Sequence, residues 1–107
     1  MSLDFSLMVT EPHEIYSANI THNLGEMAQA AGIYYALWHP ADIGAKTARD
    51  IIPVLKKGLA KLKLNPIRYS KFDAPNGWGT YVHFVPFVEE VLKACVDNPE
   101  ADISVSI

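Results

Sequence analysis

The sequence predicts one α+β domain over residues 1–107, in which a small sheet that includes both terminal strands carries the helices on one face. Apolar and polar residues alternate near both ends of the chain, which is typical of half-buried strands. Three amphipathic stretches between them have the spacing of helices. The predicted order is β-β-α-α-(β)-α-β, and we expect the last strand to return beside one of the first two. We expect no internal repeat.

Alternation near the start of the chain predicts two strands, at Leu3–Thr10 and Ile15–Ile20. Glu11–Glu14 between them predicts a turn, because proline removes a donor from the ladder of hydrogen bonds. One face of the second strand should carry its apolar side chains, namely Tyr16, Ala18 and Ile20.

The first helix is predicted to begin at Asn23 and to end before Pro40, because the residue preceding a proline is disfavoured in helical conformation. Asn23 is the expected N-cap, since Glu26 three residues later can complete a capping-box pair. Gly25 and Gly32 would lie inside this helix at a cost of about 1 kcal/mol each relative to alanine.

The second helix is predicted at about Ala45 to Lys63, with an apolar stripe opposite a basic face. Pro53 either kinks it or lies in the first turn of a helix capped by Asp50, and we favour a kinked, continuous helix. The segment Ile67–Phe72 is the bracketed edge strand of the predicted order. Its basic residues and flanking prolines weaken the strand pattern.

The third helix is predicted from about Thr80, its N-cap, to about Val96. Pro86 indicates either a bend or a later start. The alternation of Ile103, Val105 and Ile107 with polar residues predicts the terminal strand.

Charge is divided unevenly along the chain, whose net charge is −3. The segment from Lys46 to Lys71 holds eight basic residues and one acid, whereas the remainder holds eleven acids and one base. Such a division favours an acidic or phosphate-bearing partner, or self-association as a homodimer. Nucleic-acid contact through the basic helix 46–63 is a further hypothesis, against a solvated helix face as the ordinary explanation.

Cys95 is the single cysteine, so the chain forms no internal disulfide and a cytoplasmic location is expected. No apolar run approaches the roughly 20 residues that span a bilayer, and we expect no membrane partner. The four histidines lack metal-ligand spacing, so we expect no metal site and no cofactor. Cys95 lies on an apolar helical stripe, where a thiol is usually inert.

Two helix starts are the candidate binding surface. The first offers Asn19, Thr21, His22 and Asn23, where free backbone amides would attract anions and His22 could act as an acid or base. The second offers Gly77, Trp78, Gly79 and Tyr81, where glycine amides could hold an anion and Trp78 could stack on a ring. Ordinary capping and a tight Asn-Gly turn explain the same residues without a ligand.

Four segments together resemble a family of small uncharacterised proteins of tailed phages, prophages and bacteria: Tyr16–Leu24, Leu37–Pro40, Asn76–Tyr81, and the ending from Ala94-Cys95 through Ile103–Ser106. The resemblance covers nearly the whole chain. The family has no established activity, so the resemblance implies a phage or prophage context and assigns no catalytic residue. The ending departs from the pattern, because Ile107 stands where a basic residue is expected.

The leading hypothesis is therefore a small cytosolic accessory or binding domain that uses the surface formed by 19–23 and 76–81. The principal alternative is an enzyme or binder of a phosphorylated or nucleotide-like small molecule, with His22 as acid or base. That alternative requires His22 to reach a pocket beside Trp78.

Overall fold

Three antiparallel strands form one sheet, and the computed structural model describes residues 2–10 and 13–107 of the chain. The strands are β1 (Ser2–Thr10), β2 (His13–Thr21) and β3 (Asp102–Ser106), in the order β2-β1-β3. The helices between β2 and β3 complete an α+β domain. The predicted fold class, and the return of the last strand beside the first, are confirmed.

The register of the sheet places its apolar side chains on one face. Leu3 pairs with Ile20 and Phe5 with Ala18, and the side chains from β1 are fully buried. The opposite face is mostly polar, and Ser6 lies there between Ser17 of β2 and Ser104 of β3. This arrangement is what strict alternation predicts for a sheet covered on one side.

The predicted turn at Glu11–Glu14 is only partly testable, because Glu11 and Pro12 lie outside the described residues. His13 and Glu14 belong to β2, so that part of the prediction is wrong. The register shifts where Leu7 faces Tyr16 and Met8 faces Glu14. An extra residue, Ile15, is accommodated there as a bulge.

The predicted first helix is broken in two. A 3₁₀ turn at His22–Leu24 leads into α1 (Gly25–Ala31), and α2 (Tyr34–Trp38) follows. Gly32 has φ of 81° and donates its N–H back to the last turn of α1. A glycine in this left-handed conformation ends helices readily, so the prediction of one continuous helix was wrong.

The second helix, α3 (Ala48–Leu64), is continuous through Pro53, as predicted. Its N-cap is Thr47, and Asp50 completes a capping box from the third helical position. The alternative in which Asp50 itself is the N-cap was wrong.

The predicted edge strand at Ile67–Phe72 is instead a short helix, α4 (Pro66–Ser70). Pro66 occupies a first-turn position, where its fixed φ suits a helix and no hydrogen bond is lost. Tyr69 is buried from this helix, whereas Ile67 faces solvent.

The third predicted helix is α5 (Tyr81–Asp97), with Thr80 at the N-cap position. Pro86 lies inside it, so the helix does not begin later. Tyr81 donates its hydroxyl to the Leu62 carbonyl at 2.7 Å, which fixes the start of α5 beside the end of α3. The two long helices are therefore antiparallel.

The long helices also share a sequence pattern. Thr47, Pro53 and Asn65-Pro66 recur at an equal offset as Thr80, Pro86 and Asn98-Pro99. The cap dihedrals match, with φ −134° and ψ 59° at Asn65 against −136° and 61° at Asn98. Both asparagines donate a side-chain amide to the carbonyl four residues earlier. The expectation that no repeat exists was therefore wrong at the level of these helices.

The core lies between the sheet and the helices. Its largest fully buried side chains come from β1, from the segment 24–38 and from α3 and α5, among them Phe5, Leu37, Ile51 and Phe84. Within residues 2–10 and 13–107, no helix is long and apolar enough to cross a bilayer.

Candidate ligand-binding cleft

The two predicted helix starts meet in the structure. Asn23 donates its side-chain amide to the Trp78 carbonyl at 2.7 Å, which joins the end of β2 to the loop before α5. Asn23 is therefore not the N-cap that the sequence suggested. Thr21 takes that role, because its hydroxyl accepts a hydrogen bond from the Asn23 amide at 3.3 Å.

A cleft of about 880 Å³ lies along this junction. It is a shallow site with walls from the sheet, the loop before α5 and the start of α5. Six of the eight predicted binding residues line it: Asn19, Thr21, Asn23, Gly77, Trp78 and Gly79. The remaining lining residues are Ser2, Ile20, Leu24, Asn76 and His83. No lysine, arginine or carboxylate is among them.

Trp78 stands out of the loop into solvent, with 72% of its surface exposed. The loop is closed beneath it by paired backbone groups: the Ala74 amide donates to the Gly79 carbonyl, and the Gly77 amide donates to the Ala74 carbonyl, each at 3.0 Å. The Trp78 amide donates to the Asn76 side chain at 3.0 Å. The amides of Gly77 and Trp78 are therefore used inside the loop and are not free to hold an anion.

A carboxylate of the chain itself already binds the start of α5. Asp73 accepts a hydrogen bond from the Tyr81 amide at 2.7 Å, so a carboxylate of the chain lies at the positive end of the helix. A phosphate at this position would meet that negative charge. The prediction of an anion site at this helix start is therefore not supported.

The sheet wall of the cleft is held by Asn19. From β2, its side-chain amide donates to two residues of β1, Asp4 at 2.6 Å and Ser2 at 2.9 Å. These bonds fix the orientation of Asn19 on the polar face of the sheet, where the cleft begins.

His83 is a cleft residue that sequence reasoning missed. Its Nδ1 lies 2.9 Å from the Thr80 hydroxyl, which leaves Nε2 as the free ring nitrogen. The sequence does contain one indication of its role. His83 lies three residues after the predicted N-cap, Thr80, where a side chain turns back toward the helix start.

His22 does not line this cleft. It borders a neighbouring cavity of about 440 Å³ together with Glu26, Lys71 and Asp73. Its Nε2 is buried without a hydrogen-bond partner among the described residues, and its ring packs edge-on against Trp38 with centroids 6.3 Å apart. The geometry that the acid–base hypothesis required, with His22 in a pocket beside Trp78, is not found.

Neither Tyr81 nor Cys95 lines the cleft. The Tyr81 hydroxyl binds the end of α3 and does not reach the cleft. Cys95 is fully buried on α5, and burial raises the pKa of its thiol to about 12. A neutral thiol is a poor nucleophile, so catalysis by Cys95 is not supported. Among residues 2–10 and 13–107, no cluster of three His, Cys, Asp or Glu side chains could hold a metal ion.

No protein-family model matches the chain, and no curated protein or solved structure matches it either. The resemblance to small phage proteins therefore stays a prediction.

Proposed function

We propose that the protein is a small cytosolic binding domain whose cleft holds a neutral, polar ligand by stacking a flat ring on Trp78. The observation that carries this proposal is the exposed indole of Trp78 at the edge of a cleft lined by hydroxyl, amide and imidazole groups. An exposed tryptophan on a fixed loop offers a large contact area at little cost in conformational entropy.

The cleft supplies groups that suit such a ligand. Stacking of a base on an aromatic side chain contributes about 1–3 kcal/mol. The Thr21 hydroxyl can donate while its oxygen accepts from Asn23, and Nε2 of His83 is free for a ligand. Nucleosides and sugars combine a flat face with hydroxyl groups, and they are the ligand classes that this lining favours.

Charge argues against a phosphorylated ligand in this cleft. Its lining includes no lysine or arginine, and Asp73 already lies at the start of α5. Phosphate recognition usually depends on such basic side chains or on free backbone amides. Of a nucleotide-like ligand, only the nucleoside part therefore suits this cleft.

The accessory role in a phage or prophage is the part of this proposal that depends on sequence resemblance. The NITHN and NGWGT segments that carry the resemblance contribute residues to the cleft, so the resemblance and the cleft concern the same surface.

Titration with nucleosides and with mono- and oligosaccharides tests the proposal. Trp38 is buried, so ligand-dependent changes in acrylamide quenching report mainly on Trp78. We expect one class to protect Trp78. Calorimetric titration, which needs no tryptophan signal, should show that Trp78→Ala weakens binding at least about tenfold, or 1.4 kcal/mol. Tyr35→Ala, which removes a half-exposed aromatic elsewhere, is the matched control and should bind normally.

The stability of the Trp78→Ala variant should stay close to that of the wild type, because most of the indole is exposed. Failure of every nucleoside and sugar to protect Trp78 would refute the proposal. Tighter binding of a nucleotide than of its nucleoside would instead refute the neutral character of the ligand.

A further inference from the structure

The outer edge of β2 is a strand edge that no other segment covers within the described residues. β2 is nine residues long and stands at one end of the sheet, so one of its edges pairs with β1 and the other faces away. In residues 2–10 and 13–107, the backbone of residues 15–20 forms no hydrogen bond outside its pairing with β1. Unpaired N–H and C=O groups on such an edge accept a further strand.

The opposite edge of the sheet is already occupied at its start. The Ile103 amide of β3 donates to the Lys46 carbonyl, and the Ala48 amide donates to the Ala101 carbonyl, each at 2.9 Å. Thr47 thereby forms a bridge with the first residue of β3. β3 has only five residues, so β2 presents the longer uncovered edge.

The hydrogen bonds of β3 show which residues of β2 direct their backbone outward. The Ile103 N–H points away from β1, so the pair of Leu7 and Ile103 exchanges no hydrogen bond and Leu7 bonds toward β2. Every second residue of β1 does the same, and the partners of these residues on β2, such as Ala18, point inward. Ser17 and Asn19 alternate with Ala18, so their N–H and C=O groups point out of the sheet.

β2 lacks the features that usually protect a strand edge. Residues 15–21 include no charged side chain and no proline, and the bulge at Ile15 disturbs only the beginning of the strand. On the covered face, Tyr16, Ala18 and Ile20 are only half-buried, whereas the side chains that β1 places there are fully buried. The edge therefore has apolar surface as well as backbone groups left to cover.

We propose that the protein forms a homodimer in which β2 pairs antiparallel with β2 of a second copy, giving a continuous six-stranded sheet. A twofold axis lies between the two copies of Ala18. Ser17 then exchanges backbone hydrogen bonds with Asn19 of the second copy, and Tyr16 packs against Ile20 of the second copy. Pairs of an aromatic and a β-branched side chain stabilise neighbouring strands.

The side chains of β2 are complementary to themselves in this arrangement, as an interface on a twofold axis requires. In this register alone, each of the half-buried side chains Tyr16, Ala18 and Ile20 lies opposite another of the three. Ser17 and Asn19 meet on the polar face, and no charged side chains of like sign come together among these pairs. This interface does not depend on the ligand proposed for the cleft.

Sedimentation equilibrium of the full chain tests the proposal. Over about a hundredfold range of protein concentration, the mass should rise from that of the 11.8 kDa monomer toward twice that value. Ser17→Pro should weaken association at least about tenfold, because proline removes an outward N–H and no bond to β1. Ser17→Ala keeps that N–H and is the matched control, which should associate like the wild type.

Cross-linking tests the same edge without a proline. Directly opposite residues that exchange no hydrogen bond have Cα atoms about 4.5 Å apart, within the range that a disulfide spans. Oxidised glutathione should therefore link Ala18→Cys chains into covalent dimers. Ser104→Cys, at an exposed position of β3, is the control and should stay mostly monomeric. Cys95 does not compete, because it is fully buried and burial raises the pKa of its thiol to about 12.

Three outcomes would overturn the proposal. A constant mass of 11.8 kDa over the whole range would exclude the dimer and leave an extended segment of another protein as the occupant of this edge. A dimer that folded Ser17→Pro leaves unchanged would place the interface elsewhere. Equal cross-linking of Ala18→Cys and Ser104→Cys would contradict a twofold axis at Ala18.

Discussion

Gly77 and Gly79 shape the loop that presents Trp78, and they differ in the space around them. Both have positive φ, 78° and 110°. A Cβ added at Gly77 would meet nothing within 4 Å, whereas one at Gly79 would lie 2.9 Å from Asn23 Cβ and 3.0 Å from Thr21 Cγ2. Gly79 is therefore required for close approach as well as for backbone conformation.

Replacing either glycine with alanine should destabilise the protein, and the cost should be larger at Gly79. Gly77→Ala should lower the free energy of unfolding by about 1–2 kcal/mol, through backbone strain alone. Gly79→Ala should lower it by about 2–4 kcal/mol, because Thr21 and Asn23 must also move. Urea denaturation measures both changes. Equal costs would contradict the close contact between this loop and the end of β2.

The residue types of the cleft could be read from the sequence, but the partners of each side chain could not. Asparagine before a helical pattern is usually a cap, and only the fold brings the Trp78 carbonyl to Asn23. The placement of His22 against Trp38 depends in the same way on where α2 packs. Local rules describe hydrogen bonds within a few residues, whereas these contacts join distant segments.

The capping box at the start of α3 is an element-scale feature with a pH dependence. The Asp50 carboxylate accepts hydrogen bonds from the Lys46 amide at 2.9 Å and the Thr47 amide at 3.1 Å. These bonds to the charged form lower the pKa of Asp50 below its ordinary value of 3.8. The stabilisation is complete above the unfolded pKa and is lost as pH falls through the lower, folded pKa.

Asp50→Asn should therefore destabilise the protein at neutral pH, and the difference from the wild type should shrink in acid. The difference begins to shrink below pH 3.8, because the wild-type carboxyl then becomes protonated in the unfolded state first. Thermal or urea unfolding from about pH 7 to about pH 2.5 measures it. Asp42→Asn, at an exposed carboxyl outside α3, is the control. A difference that stays constant through the acid range would contradict the role of the charged form.

At the scale of elements, long periodic patterns predicted well and short ones did not. The stripes of α3 and α5 and the alternation of all three strands identify those elements, because many residues share one period. The α4 segment offers only five residues, and its single buried side chain, Tyr69, fits a helix as well as a strand. The break at Gly32 depends on one backbone conformation that a helical pattern does not reveal.

The repeated pattern of α3 and α5 links the elements to the whole molecule. Buried residues occupy matching positions on the two helices, such as Ile51 with Phe84 and Leu55 with Val88. Exposed Lys56-Lys57 of α3 corresponds to exposed Glu89-Glu90 of α5. At these matching positions the two helices thus present similar apolar faces to the core and opposite charges to solvent.

The whole molecule has one covered and one open side of its sheet. β1 is the central strand, and β3 is fastened further by the Ile103 amide, which donates to the Lys46 carbonyl at 2.9 Å. Ile103 lies opposite Leu7 on the covered face, where it is half-buried. Ser104 lies opposite Ser6 on the open face and is exposed.

Neighbouring substitutions in β3 should therefore have very different costs. Ile103→Ala should lower the free energy of unfolding by about 1–3 kcal/mol, less than a fully buried isoleucine would, because part of the side chain already meets water. Ser104→Ala should change it by no more than about 0.5 kcal/mol, as expected at an exposed position. Urea denaturation of the two variants measures this difference in unfolding free energy between adjacent residues of one edge strand. Similar losses at both positions would mean that the face carrying Ser104 is also covered, which contradicts a sheet with helices on one side only.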